Sequence, residues 1–483
     1  MDFGAGFSLI DIRPLTPEIT MICTGLILLL LDLVVKKKEA IAVLGIIGTI
    51  VAIFATYRLY AFNETRSIFL EMFALDGYAN FFKIIFYINV ILTICISFRY
   101  MKIEKASIGE YYALLMFATT GMMIMASAAD LIVLYLGLEL MALSTYILAG
   151  LMRKQRKSNE AALKYFFLGA FSSAFLLYGI SLTFGLTGTT NIQDIAGLVS
   201  SLSIADNAIM HLAVVFLIVA FGFKIALVPF HMWAPDVYEG APTSITAFMS
   251  VGPKAAGFAV LGRVLFEAFG DMQIMWSSIL VPLSILTMAV GSIIALAQTN
   301  IKRMLAYSSV AHAGYILLGI IAGTTDGLIS SVNYLMIYMF MNMGAFAIVI
   351  MLRSEGFQGE ELEDYKGLAK TNPAAAALML VFMFSLTGIP PTAGFIGKFY
   401  VIMEAINAGD MYLAITAVVF SVISAFFYLR VVMYMYMNDP KETVILTKSP
   451  SMTFALALTT VMVLVLGVFP SVLLNLVRSS IIS

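Results

Sequence analysis

The sequence predicts an all-α polytopic membrane protein of fourteen transmembrane helices, with two inverted five-helix repeats (helices 4–8 and 9–13) in which helices 7 and 12 are discontinuous. Three observations carry that expectation. Of 483 residues, 61% are hydrophobic and only 12% charged, with a mean hydropathy of +0.97; soluble domains carry about 25% charged residues. Apolar runs of about 20 residues, enough to cross a hydrocarbon core about 30 Å thick, recur from end to end. Two of these runs are over-long and are interrupted by Gly and Pro beside a lysine.

The spans follow from the apolar runs between polar connections. The first three are Leu15–Val35, Ala40–Ala61 and Asp76–Phe98. Glu110–Ser127, Asp130–Leu151, Glu160–Thr187, Ala208–Tyr238 and Pro242–Ala268 come next. Met275–Gln298, Ile301–Gly323, Ile329–Leu352, Pro373–Glu404, Met411–Met437 and Met452–Val477 complete the set. Four regions result: N-terminal helices 1–3 (1–109), a first repeat (110–268), a second repeat (269–437) and a C-terminal helix 14 (438–483). The stretch Met1–Pro14 is too polar for a cleaved signal peptide, so the first run is expected to stay. Lys and Arg are distributed 17 to 5 between the two sets of loops, which predicts that both termini face away from the cytoplasm.

The seventh span carries Gly222 and Pro229 around Lys224, and the twelfth carries Gly388, Pro390, Pro391, Gly394 and Gly397 just before Lys398. Proline removes a backbone donor and clashes with the preceding turn, so each helix should unwind locally. Unwound backbone at membrane depth survives only where protein or water satisfies it. The two breaks are five spans apart, an odd number, so the units around them have opposite topology. Paired interruptions of this kind point to an ion pathway.

Glu139, Lys224, Lys254 and Lys398 lie deep in their spans. By insertion scales the four cost on the order of 10 kcal/mol, and three cations cannot all pair with one acid. Burial disfavours a charged ammonium, so buried lysines exchange protons readily, and a movable carboxylate changes whether they hold them. Helical spacing adds polar stripes: Lys224 with His231, Thr246 and Ser250 with Lys254, Ser308 with His312 and Tyr315. Lys164 sits about one turn inside its span, where snorkelling is the plainer alternative. Lys83 has no accompanying break, and Arg430 and Asp32 lie near span ends, as interfacial charges do. Trp233 and Trp276 are expected at membrane interfaces.

Other chemistries find little support. A net charge of −1 argues against a nucleic-acid surface. Cys23 and Cys95 fall inside spans, and His211, His231 and His312 are dispersed with no metal-ligand spacing, so no metal site is expected. No phosphate-binding glycine loop is present.

The quoted stretches also carry a resemblance. LYLGLELMALSTYIL around Glu139, AALKYFFLGAFSSAF at Lys164, FGFKIALVPFHMWAPDVYEGAPT around Lys224, VGPKAAGF at Lys254, NIKRMLAYSSVAHAGY through His312 and GIPPTAGFIGKFY at Lys398 are similar to the antiporter-like membrane subunits of respiratory complex I, the proton-pumping NADH:quinone oxidoreductase. Lysine at 398 and a short C-terminus favour the N type over its M and L siblings. The resemblance implies proton translocation coupled to electron transfer elsewhere, with Glu139 and Lys224 as the charge pair of one half-channel. It makes Lys254 the central relay, Lys398 the terminal proton site, Lys164 a modulator near the pair, and His231 and His312 polar members of a hydrated axis. It implies no cofactor in this chain, with flavin, iron–sulfur clusters and quinone held by other subunits. It also implies K-type and M-type neighbours and a bacterial inner membrane. Two alternatives stay open: a subunit of a cation/proton antiporter or of a hydrogenase or ferredoxin-linked complex, and a membrane scaffold without transport.

Overall fold

In the computed structural model the described residues are all except 1–8, 62–65, 69–70, 105, 107, 202–206, 355–356, 441–445, 447–448 and 483. They form nineteen α-helices. The first six are α1 (Thr16–Asp32), α2 (Lys38–Ala61), α3 (Gly77–Ile103), α4 (Glu110–Ser127), α5 (Leu131–Ala149) and α6 (Arg156–Thr187). Then come α7 (Ile192–Ser201), α8 (Ala208–Lys224), α9 (Trp233–Gly240), α10 (Thr243–Arg263), α11 (Gln273–Leu296), α12 (Ile301–Ile321) and α13 (Thr325–Leu352). The last are α14 (Leu368–Thr371), α15 (Pro373–Thr387), α16 (Ala393–Asn407), α17 (Met411–Met437), α18 (Pro450–Val468) and α19 (Pro470–Ile482). Among the described residues eleven helices are long and apolar enough to cross a membrane. The chain is an all-helical, multi-pass membrane protein.

Side-chain oxygens set where several helices begin. Asp76 accepts from Ala79 N at 2.7 Å to open α3, Asp130 from Ile132 N at 2.7 Å to open α5, and Asn300 from Arg303 N at 3.1 Å to open α12. Each satisfies a donor that the first helical turn leaves free. Helices α10, α12 and α13 are buried throughout and make the centre, with α3 packed on α10 and α13. Helices α2, α6, α11, α17 and α18 turn much of their surface outward, as lipid-facing helices do.

Close helix crossings rest on glycine. A Cβ at Gly121 of α4 would meet the backbone of Met141 in α5 at 2.4 Å, and one at Gly291 of α11 would meet Ala311 N in α12 at 2.5 Å.

Both expected breaks are present. Between α8 and α9, residues Ile225–Met232 leave the helix, Ala226 adopts φ 60°, and the Val228–Pro229 bond is cis. Val228 N donates to Thr287 Oγ1 at 2.9 Å and Trp233 Nε1 to the Phe223 carbonyl at 2.9 Å, so protein groups replace the lost ladder. Between α15 and α16, Gly388 adopts φ 91°, Pro390–Pro391 is cis, and Gly394 N donates to Ser385 Oγ at 3.0 Å.

Several expectations need correction. Beside the helices, Arg66–Ile68 (β1) and Phe73–Leu75 (β2) pair as a small antiparallel hairpin before α3, which the sequence did not announce. The amphipathic α7 was not expected, and the fourteenth span is two helices because Pro470 cannot continue α18. Trp233 and Trp276 are buried within the protein rather than exposed, each donating its indole N–H to a backbone carbonyl. Lys83, whose role the sequence left open, pairs at 2.7 Å with Glu18 of α1, and both are buried. Arg263, counted among outer loop cations, is buried on α10 and pairs with Asp76 and Glu267. Lys105, Lys441 and Lys448, three of the loop cations behind the orientation, lie outside the described residues.

Candidate proton-transfer site

Lys224 is the last residue of α8, held at the break with 3% exposure. Its Nζ lies 3.5 Å from Tyr146 Oη and over the rings of Tyr146 and Phe223 at 5.7 and 5.6 Å. Tyr146 is fixed edge-on against Tyr165, which stacks on Trp233 at 4.5 Å. Glu139 is half-buried on α5 and accepts a hydrogen bond from Ser173 of α6. Among the described residues no ion pair joins Glu139 to Lys224. The expected charge pair is therefore not a contact, and Tyr146 and Ser173 are the immediate partners of its two ends.

Lys254 is buried at 1% exposure on α10. Its Nζ donates to the Ser309 carbonyl at 2.5 Å and to Ser309 Oγ, and it lies over the Tyr338 ring at 5.9 Å. Gly257 gives α10 its close approach to the first break, since a Cβ there would meet Ile225 at 2.6 Å.

His312 continues the line from α12. Its Nδ1 meets Tyr334 Oη at 2.8 Å, its Nε2 meets Tyr428 Oη at 3.0 Å, and Tyr428 Oη meets Ser308 Oγ at 2.5 Å. Its ring is 5.1 Å from that of Tyr338, the ring under Lys254. At the far end Lys398 of α16 folds back on the second break. Its Nζ donates to the Thr387 carbonyl at 2.8 Å and to Ser421 Oγ at 2.9 Å, over the Tyr315 ring at 4.9 Å. Neither Lys254 nor Lys398 has a carboxylate partner among the described residues. Around them Tyr315 Oη, Tyr338 Oη and Ser292 Oγ are buried without a hydrogen-bond partner among the described residues.

Two expected members lie elsewhere. Lys164 points away from Lys224 to Asp236 at 2.7 Å and Glu160 at 2.9 Å, in a rim of charges where Arg303 also holds Asp236 and Glu239. His231 falls inside the break, half-buried, with Nδ1 unpartnered among the described residues; the interruption at Ile225 separates it from the face of Lys224. Sequence reasoning missed Tyr146, Ser173, Ser309, Tyr334, Tyr338, Tyr428 and Ser421. Three had a signal: Tyr146 is seven residues after Glu139, and Ser421 and Tyr428 are seven apart with Ser424 between them at helical spacing.

This geometry can be set beside known proteins. Residues 128–424 match the family described as NADH:quinone oxidoreductase/Mrp antiporter, TM. NADH-quinone oxidoreductase subunit N 2 of Rhizobium meliloti (strain 1021) is 49% identical over 464 residues, 96% of each chain. The chain belongs to the NADH-quinone oxidoreductase subunit N family. The subunit N of Trichlorobacter lovleyi is 46% identical over 98% of each chain. Among solved structures, a chain of respiratory complex I from Thermus thermophilus with bound aureothin superposes with a TM-score of 0.82 at 31% identity, covering 95% of this chain and 99% of that one. A chain of the Mrp complex from Dietzia sp. DQ12-45-1b has a TM-score of 0.85 at 20% identity, over 98% of this chain and 97% of that one, and shares the fold.

Proposed function

We propose that this chain is a proton-translocating membrane-arm subunit of an NADH-quinone oxidoreductase, coupling electron transfer elsewhere in the complex to proton movement. One observation carries the reading: two buried lysines, without a carboxylate partner among the described residues, flank His312 and its tyrosine and serine hydroxyls, next to two helix breaks. Buried hydroxyls without protein partners are the groups that hold internal water, which would complete the line. The paired breaks and the glycine crossings of α4–α5 and α11–α12 support fourteen crossings with inverted repeats at helices 4–8 and 9–13.

Lys224, Lys254 and Lys398 carry the proton in turn, with His312 between the last two. Glu139 acts on Lys224 through space, because charges in a poorly screened interior interact strongly without touching. Lys164 and His231 act from the rim and the break rather than on the line itself. Moving one charge against 100 mV takes about 2.3 kcal/mol, within the reach of one carboxylate changing its distance. Flavin, iron–sulfur clusters and quinone belong to other subunits. K-type and M-type subunits flank this one in a bacterial inner membrane, with both termini on the non-cytoplasmic side.

The test is Lys224→Ala in native membranes, measuring NADH:quinone electron transfer and proton pumping together. Pumping per electron is expected to fall; an unchanged ratio would remove Lys224 from the path.

A further inference from the structure

Helices α1 and α2 touch where Gly48 faces Thr24, since a Cβ at Gly48 would fall 2.3 Å from Thr24 Oγ1. One turn further out they part, and a cavity of about 530 Å³ lies between them. Its α2 wall is Val51, Phe54, Ala55 and Leu59, and Thr16 and Thr20 face it from α1. Val51 and Phe54 are 51% and 62% exposed, so this wall is open to the side rather than covered by another helix. At the mouth stand two arginines: Arg13, in the last turn of the 3-10 helix before α1, and Arg58, in the last turn of α2. Both are exposed, and neither has an ion-pair partner among the described residues. Glu18, the acid in the first turn of α1, is taken up by buried Lys83. The two threonine hydroxyls donate within their own segment, Thr16 to the Arg13 carbonyl and Thr20 to the Thr16 carbonyl at 2.7 Å. Two like charges therefore line one cavity, with no described carboxylate to neutralise them.

We infer that this wedge binds one anionic phospholipid, its phosphodiester held between Arg13 and Arg58 and an acyl chain laid along Val51, Phe54 and Leu59. Charge and direction both fit that occupant. Guanidinium groups present paired N–H donors that match phosphate oxygens, and an anion between two arginines removes their repulsion. The arginines mark the helix ends, where headgroups lie, and Val51 sits about 10 Å deeper by helical rise. A soluble anion would leave the apolar wall uncovered, and a neutral chain would leave the arginines unpaired. An amphipathic anion with its chain pointing inward satisfies both ends at once. It also closes the open side of the α1–α2 hairpin, which holds Glu18 against Lys83. The site lies outside the proposed proton line and does not depend on it.

The test uses the intact complex in phosphatidylcholine vesicles doped with a phosphatidylglycerol that carries a diazirine on one acyl chain. After illumination, labelled peptides are mapped by mass spectrometry. Labelling is expected within residues 51–59, and unlabelled phosphatidylglycerol should displace it where added phosphatidylcholine does not. Arg13→Gln combined with Arg58→Gln should weaken the label about tenfold, the equivalent of one lost charge-assisted hydrogen bond. Unchanged electron transfer by that variant complex shows that it has assembled. Ala55→Leu, which narrows the cavity and keeps both arginines, should lower labelling as well; full labelling there places the chain elsewhere and overturns the wedge. Equal displacement by both lipids overturns the site, because the wedge then holds bulk lipid only. A label unaffected by the double substitution overturns the role of the arginines, and displacement by inorganic phosphate overturns the lipid in favour of a soluble anion. If the double variant does not assemble, the lipid competition in the unsubstituted complex decides by itself.

Discussion

In the proposed line, the surroundings of Lys254 explain why an amine, rather than a fixed cation, suits the middle position. It is held by one serine, through Oγ and the carbonyl, and by the face of a tyrosine ring. Those partners accept a hydrogen bond from ammonium and tolerate a neutral amine equally well. Arginine would keep a charge at the same depth but does not release its proton. Lys254→Arg is therefore expected to assemble and to abolish pumping, measured as proton uptake per electron; normal pumping would make Lys254 a structural cation only. His312 is bound on both ring nitrogens by Tyr334 and Tyr428. His312→Phe leaves the buried Tyr334 hydroxyl without its partner, at about 1–3 kcal/mol, while Tyr428 keeps Ser308. A lower melting temperature of the detergent-solubilised complex and loss of transfer to Lys398 are expected together.

At the scale of elements, the breaks were legible because their cause is local. Proline and glycine alter backbone geometry wherever they stand, so Pro229 and Pro390–Pro391 announced interruptions before any packing was known. Pro470 gave the same signal, but the apolar residues on both sides read as one span. Pairing was not legible, because it depends on which helix lies opposite. Glu18 is 65 residues from Lys83, and nothing in either neighbourhood marks the other. Their buried contact predicts an asymmetry: Glu18→Gln alone should cost about 3–5 kcal/mol by leaving an unpaired buried lysine, whereas replacing both by methionine should be close to neutral. Denaturation in detergent separates the two, and equal losses would show that the pair contributes mainly by shape. The second break has its own weak point at Gly394, where a Cβ would lie 1.7 Å from the Ser385 carbonyl oxygen. Gly394→Ala is expected to push α15 and α16 apart, cost about 1–3 kcal/mol and impair Lys398 together with assembly.

Across the whole molecule, the ionisable residues sort by depth in a way that sequence position only half reveals. Lys224, Lys254, His312 and Lys398 were recognisable because each sits far from any polar connection. Lys164 was not separable from them, since whether a long side chain turns inward or snorkels to Asp236 is decided by a helix, α9, distant in sequence. Glu139 is the reverse case: deep along its helix, yet half-exposed to the side, among the outward Leu136, Leu143, Phe167 and Phe171. A carboxylate facing hydrocarbon costs about 2.5–3.5 kcal/mol on insertion scales, which a protein surface laid over it would relieve. In the proposed coupling, that lateral face is where a neighbouring subunit would act on Lys224, by moving charge beside Glu139. A lipid-soluble carbodiimide, which modifies protonated carboxyls from the hydrocarbon phase, tests the arrangement. Glu139 is expected to be modified in the chain purified alone and protected in the assembled complex, read by peptide mass mapping. Equal modification in both states would leave the α5–α6 face to lipid and require the coupling signal to arrive from elsewhere.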